Sequence, residues 1–148
     1  MATNPRVPQG TLNRVRGSVI VPSFPNLNVT APFLGKGAIS INLQGQATQM
    51  IQTLTGVVTS PEPYMMAQIT INLLRTQQLA NLYKARMELD TLIGDIQIIP
   101  DVNTLSNYQL LNCSIGAVRE LPFTGDDAGY VVTVDGYYEV NSNLWNLI

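Results

Sequence analysis

Asp126 and Asp127 are the acids best placed to act together, since they are adjacent inside the stretch Gly125-Asp126-Asp127-Ala128-Gly129. Two carboxylates on a glycine-rich turn could offer oxygen ligands to a calcium ion. A calcium loop needs more such ligands at regular spacing, in the pattern D-x-D-x-D-G, which this stretch lacks. Asp beside Gly is also ordinary turn chemistry. The pair therefore reads as a turn, and no metal or cofactor is expected. Glu88 and Asp90 could be imagined as a general acid and base. Two positions apart on a helix, they point to different sides. Arg86 and Asp90, four apart, can meet. That pair reads equally as a subunit contact or as a plain surface pair. Cys113 is the one thiol, and its alternating apolar surroundings read as core.

What is missing narrows the chemistry further. The chain has no histidine, so a Ser-His pair, an imidazole metal ligand and a proton shuttle near pH 6 are all excluded. Neither a Walker-type phosphate loop nor a GxGxxG turn occurs. Arg14-Val15-Arg16 makes a small basic spot without the aromatic neighbours of a nucleic-acid platform. Sequence-specific DNA reading is not expected, and neither is enzyme activity.

Charged residues make up 12% of the 148 positions, about half the share usual in globular domains. Asn, Gln, Ser and Thr together supply about three residues in ten. Neutral amides and hydroxyls pair across interfaces without the desolvation cost of ions. The surface suits self-association. Charge is also unevenly distributed. Residues 1–61 hold no acid, only Arg6, Arg14, Arg16 and Lys36, and every acid lies from Glu62 onward. This is either chance in a charge-poor chain or the mark of a repeated contact between unlike regions. In the second reading Arg14 and Arg16 meet acids of the later region at subunit contacts, Asp126 or Asp127 among them.

The elements that must carry these residues are mostly strands. Residues 1–10 read as an arm broken by Pro5, Pro8 and Gly10. Residues 11–21 read as a strand, and Pro22, Pro25 and Pro32 then impose an extended loop. In residues 37–44, Ile39, Ile41 and Leu43 alternate with Ser40, Asn42 and Gln44. Residues 45–63 form a long loop or hairpin that carries Met50, Ile51, Leu54, Val57 and Val58, a set of apolar side chains in need of a partner surface. In residues 64–74, Met65, Ala67, Ile69, Ile71 and Leu73 oppose Gln68, Thr70 and Asn72. Thr76 reads as an N-cap for a helix over 77–92. Its expected buried stripe is Leu79, Leu82, Tyr83, Leu89 and Ile93, with Lys84 and Glu88 opposite and Gly94 as the stop. Strands follow over 96–99, 108–121 and 130–140. The second places Leu111, Cys113, Ile115 and Ala117 on one face. Asp135-Gly136 has the composition of a type I′ turn, but a turn there would leave the preceding strand half unpaired. The expected fold is one mainly β domain over residues 1–148, an antiparallel β-sandwich or rolled sheet with one α-helix. No run is long and apolar enough for a membrane span, and no secretory leader is visible, so cytoplasmic synthesis is expected.

Several stretches resemble the tail tube proteins of contractile-tailed bacteriophages. They are Pro61-Glu62-Pro63-Tyr64, Ala67-Gln68-Ile69-Thr70-Ile71-Asn72-Leu73-Leu74 and Thr76-Gln77-Gln78-Leu79-Ala80-Asn81-Leu82-Tyr83-Lys84-Ala85-Arg86-Met87. Thr11-Leu12-Asn13-Arg14-Val15-Arg16-Gly17 and Tyr130-Val131-Val132-Thr133-Val134-Asp135-Gly136-Tyr137-Tyr138 fit the same picture. The likeness covers most of the chain and rests on element order and general character. It implies hexameric rings stacked into a hollow tube, with strands of all subunits joined in one inner β-barrel that conducts genomic DNA. It also implies a long hairpin contacting the next ring. Sheath, baseplate or tape-measure, and tail-terminator proteins would be partners, without stable membrane association. The location would be the virion tail after assembly in the bacterial cytoplasm. Pyocin-type and type VI secretion tubes are related. A wall that lets DNA slide must not grip phosphates, and Ser40, Asn42, Gln44, Gln68, Thr70 and Asn72 suit such a lining. Met50, Ile51, Leu54, Val57 and Val58 would make the contact between rings. A non-enzymatic β-sandwich binding module is the alternative, which would use Asn-rich loops and Trp145.

Overall fold

A computed structural model describes residues 16–74, 78–102, 104–119, 126 and 129–145 of the chain, with Lys36 known by its backbone alone. Arg14, Thr76, Asp127 and the 1–10 arm lie outside the described residues.

β5 (Tyr64–Leu74) shows the fold's logic most plainly. Its side chains alternate, and Ala67, Ile69, Ile71 and Leu73 are buried while Gln68, Thr70 and Asn72 lie on the other face. A half-buried strand has this period-two pattern. β8 (Gly129–Glu139) pairs with β5 along its whole length, and β2 (Leu34–Gln44) pairs on the other side. β7 (Tyr108–Arg119), β6 (Leu92–Pro100) and β1 (Gly17–Ile20) extend the sheet, giving the antiparallel order β1-β6-β7-β8-β5-β2. The six strands curl into a half-barrel rather than two facing sheets. Its mouth is an apolar groove of about 420 Å³, where Ile39 and Ile41 of β2 face Ile98 and Pro100 of β6.

Residues 45–63 form a hairpin, β3 (Thr48–Gln52) and β4 (Val57–Pro61), which pair only with each other.

α1 (Gln78–Leu89) closes the core with Leu79, Ala80 and Tyr83. The Tyr83 hydroxyl donates to the Leu27 carbonyl at 2.7 Å in a buried hydrogen bond. Arg86 lies over the Phe24 ring at 3.9 Å and donates to the Leu92 carbonyl at 3.3 Å. These contacts set the helix's rotation, and they correct the expected stripe. Leu82 is 39% exposed and Leu89 80% exposed, while Ala80 takes the buried place. The helix also ends at Leu89, because Thr91 already belongs to the sheet: its carbonyl accepts from the Ile115 amide at 2.9 Å. Ile93 and Gly94 belong to β6, with Gly94 at φ +78° within the strand rather than at a helix stop. Lys84 and Glu88 do sit on the exposed face, 3.1 Å apart. Truncating a half-exposed side chain forfeits little burial. Leu82→Ala should therefore cost about 1 kcal/mol or less in a denaturant melt of the subunit, not the 2–5 kcal/mol of a core leucine.

The 108–121 strand also needs correction. Leu110, not Leu111, is buried with Cys113 and Ile115. An extra residue intervenes between the Leu111/Tyr137 and Ser114/Asp135 pairs, and Asn112 takes φ +49° there. A one-residue bulge swaps the face of every side chain before it. Ala117 likewise leaves the core face, through a second irregularity after Ile115. Asp135-Gly136 is not a turn but mid-strand. A Cβ on Gly136 would meet Cys113 Sγ at 2.6 Å, so the glycine is there for the close approach of β7.

Candidate assembly surface

The six polar residues expected to form a lining come together on one face. Ser40 pairs with Thr70 and Asn42 with Gln68 across β2 and β5, Gln44 faces Met66, and Asn72 lies next along β5. The face continues across the sheet, because Gln68 is opposite Asp135 and Thr70 is opposite Thr133 on β8. Asp135 is held locally, accepting from Gln68 Nε2 at 3.0 Å. Asn72 Nδ2 donates to the Ala38 carbonyl at 3.1 Å, which ties down the irregular stretch of β2 where Ala38 takes φ +52°. Thr133 Oγ1 donates to the Ala117 carbonyl at 3.2 Å. The result is an outer sheet face of amides and hydroxyls, several committed to neighbours rather than free to seize a ligand. Ser114, opposite Asp135, and Gly116 continue it onto β7; a Cβ on Gly116 would collide with the Asp135 carboxylate.

At one end of this face the hairpin projects. It carries no charged residue from 45 to 61. Met50, Ile51, Leu54, Val57 and Val58 are all about half exposed or more, and Leu54 at the tip is fully so. The tip is closed by the Thr53 amide and hydroxyl donating to the Gly56 carbonyl at 2.7 and 2.9 Å. Gly45, at φ +91°, lets the chain leave the sheet. The root is clamped by a residue that sequence reasoning passed over. Asn141 Nδ2 donates both to the Ala47 carbonyl at 2.9 Å and to the Glu62 carbonyl at 2.7 Å, so one amide spans both hairpin strands. Asn141 takes φ +55°, a conformation asparagine tolerates better than most residues. An Asn directly after a strand was the only hint of it in the sequence.

Three of the six charge candidates are matched within the subunit. Arg16 lies 3.4 Å from Asp101, and Arg86 lies 3.8 Å from Asp90. Asp126 is exposed, and its neighbour Asp127 lies outside the described residues. Cys113 is buried, and desolvation with the nearby Asp95 carboxylate pushes its thiol up to about 12, so it stays protonated at neutral pH. Among the described residues, no three His, Cys, Asp or Glu side chains gather as a metal site would require, and no helix is long and apolar enough to cross a membrane.

Sequence reasoning also missed an aromatic cluster. β5–β8 pairing sets Tyr64 opposite Glu139 and Met66 opposite Tyr137. The Tyr64 and Tyr137 rings meet edge to face at 5.8 Å. With Pro63 and Trp145 they line a concavity of about 550 Å³ beside the hairpin root.

Neither a known protein family nor a characterised protein matches the chain.

Proposed function

We propose that this protein is the structural subunit of a tail tube of the contractile phage type, assembling as stacked hexameric rings around a channel for DNA. The observation that carries this reading is the hairpin. An uncharged two-stranded ribbon with its apolar side chains in water is marginal alone and is completed by a partner surface. Two further features support it. Among the described residues β2 is an open edge of the sheet, and joining it to another copy removes its unpaired backbone groups, whereas β1 is already capped at Val19 by Val29. Across β2 and β5 the outer face carries neutral amides and hydroxyls, as a wall must if it is not to bind phosphates. In this assembly Ser40, Asn42, Gln44, Gln68, Thr70 and Asn72 line the channel, α1 faces the sheath, and sheath, baseplate and terminator proteins complete the tail. A secretion-type tube would use the same geometry with protein cargo in place of DNA.

Negative-stain electron microscopy of concentrated protein tests the assembly, with rings or filaments expected. A lone binding module would remain a particle of about 16 kDa. The lining is tested by Asn42→Lys and Thr70→Lys together. Tubes should still form while DNA delivery falls, and raising the salt should ease the defect, since lysine binds the phosphate backbone by releasing counterions. Unimpaired delivery through well-formed variant tubes would place these residues away from the channel.

A further inference from the structure

The concavity at the hairpin root has the chemistry of a cation cage. The rings of Tyr64, Tyr137 and Trp145 line it together with the acid Glu139. A guanidinium or ammonium is attracted by ring quadrupoles and by the acid together. Glu139 is half-buried, yet among the described residues it forms no ion pair, and no described cation lies over any of the three rings. Among the described residues, then, the cage has no cation of its own subunit in it.

A matching cation sits at the other end of the same sheet face. Arg119, the last residue of β7, is exposed and opposite Val131 of β8. Among the described residues it makes no ion pair. Val131 and Glu139 are eight positions apart on β8 and share a face, so about 26 Å of strand separates the unpaired cation from the unpaired acid. They cannot meet within one copy. In a head-to-tail pair the arginine end of one copy meets the cage end of the next, whereas head-to-head stacking opposes like charges. The other exposed cations with described side chains, Arg16 and Lys84, already face acids of their own subunit.

From this we infer that the Tyr64–Tyr137–Trp145–Glu139 cage receives Arg119 of a second copy stacked head to tail. The inference rests on the stacked-assembly reading and adds to it a polarity and a named contact. It also accounts for a cation on a face that must not hold DNA: each Arg119 is neutralised by the next copy's Glu139.

Charge exchange tests it in the full chain. Arg119→Glu and Glu139→Arg, each alone, should raise the concentration needed for assembly about tenfold or more, the effect of one lost partly desolvated contact. The double variant should assemble near the wild-type concentration. Thermal melts of dilute subunits check that the single variants fold, with Arg119→Gln as the milder replacement. Trp145 is the only tryptophan, so its emission should change as wild-type protein assembles and change less in Arg119→Gln. Single variants that assemble as readily as wild type, or a double variant that stays defective, overturn the contact and leave the tube reading standing. Wild-type protein that never assembles overturns both.

Discussion

Removing residues 48–60 should leave a folded subunit that no longer polymerises. The fold gives the reason for the first half. β3 and β4 form a separate ribbon, and none of their residues belongs to the buried core. The cut also spares the root, where the Glu62 amide donates to the Ala47 carbonyl at 2.9 Å and Asn141 holds both. Circular dichroism and the melting temperature of the dilute subunit should therefore change little. The second half follows from what is lost. Burying a Val, Leu, Ile or Met side chain fully contributes about 1.5–3 kcal/mol. Five such residues, each partly covered by a partner, amount to roughly 5 kcal/mol or more. Every 1.4 kcal/mol is about a tenfold change in equilibrium, so the deletion should shift assembly by roughly three to four orders of magnitude or more. Sedimentation of concentrated protein reads this directly. Filaments of normal length would mean that the copies meet elsewhere. Leu54→Asp at the fully exposed tip is the point-mutation form of the same test. It touches nothing in the subunit and should weaken assembly alone.

Much of the sheet was legible in the sequence, because alternation over 64–74 and 37–44 leaves one choice of face, and that choice brought the six polar candidates into register on one side. Legibility stopped where a single residue changes the phase. Nothing about Asn112 announces a bulge, yet it moves the burial from Leu111 to Leu110. Gly136 sits inside the strand that the alternation over 130–140 predicts. Its turn-like neighbour Asp135 suggests a hairpin, but the glycine answers to Cys113, whose distance in sequence hides the contact. The helix end failed for a related reason. Leu89 and Ile93 fit helical spacing, and only the pairing of β6 with β7 shows that the chain has become a strand by Leu92. The cage was least legible. Tyr64, Tyr137 and Trp145 are scattered along the chain, and strand pairing alone makes them neighbours. Read from sequence, Trp145 is a lone tryptophan with no aromatic neighbour in the chain around it.

The stability of the subunit should depend most on Tyr83. Its ring is fully buried between α1, the sheet and the turn at Pro25–Leu27, and its hydroxyl satisfies the Leu27 carbonyl. Tyr83→Ala leaves a cavity the size of the ring and should cost about 3–5 kcal/mol, a large part of the 5–15 kcal/mol that holds a typical domain. For a chain of this length that is a fall in melting temperature of about 10 °C or more. Tyr83→Phe separates the two contributions. It keeps the ring but leaves a buried carbonyl without its donor, and should cost about 1–3 kcal/mol. Alkali gives a further check. Burial raises the Tyr83 pKa above its ordinary value of 10.0, so the folded chain keeps the phenol neutral while the unfolded chain ionises it. With the folded value raised, the stabilisation is fully present below pH 10 and is lost as the pH climbs beyond it. Phenylalanine has no proton to lose. The gap in melting temperature between wild type and Tyr83→Phe should therefore be widest at neutral pH and narrow above pH 10. A gap that stays constant through that range would show that the phenol is already in contact with water, and that α1 does not seal this side of the core.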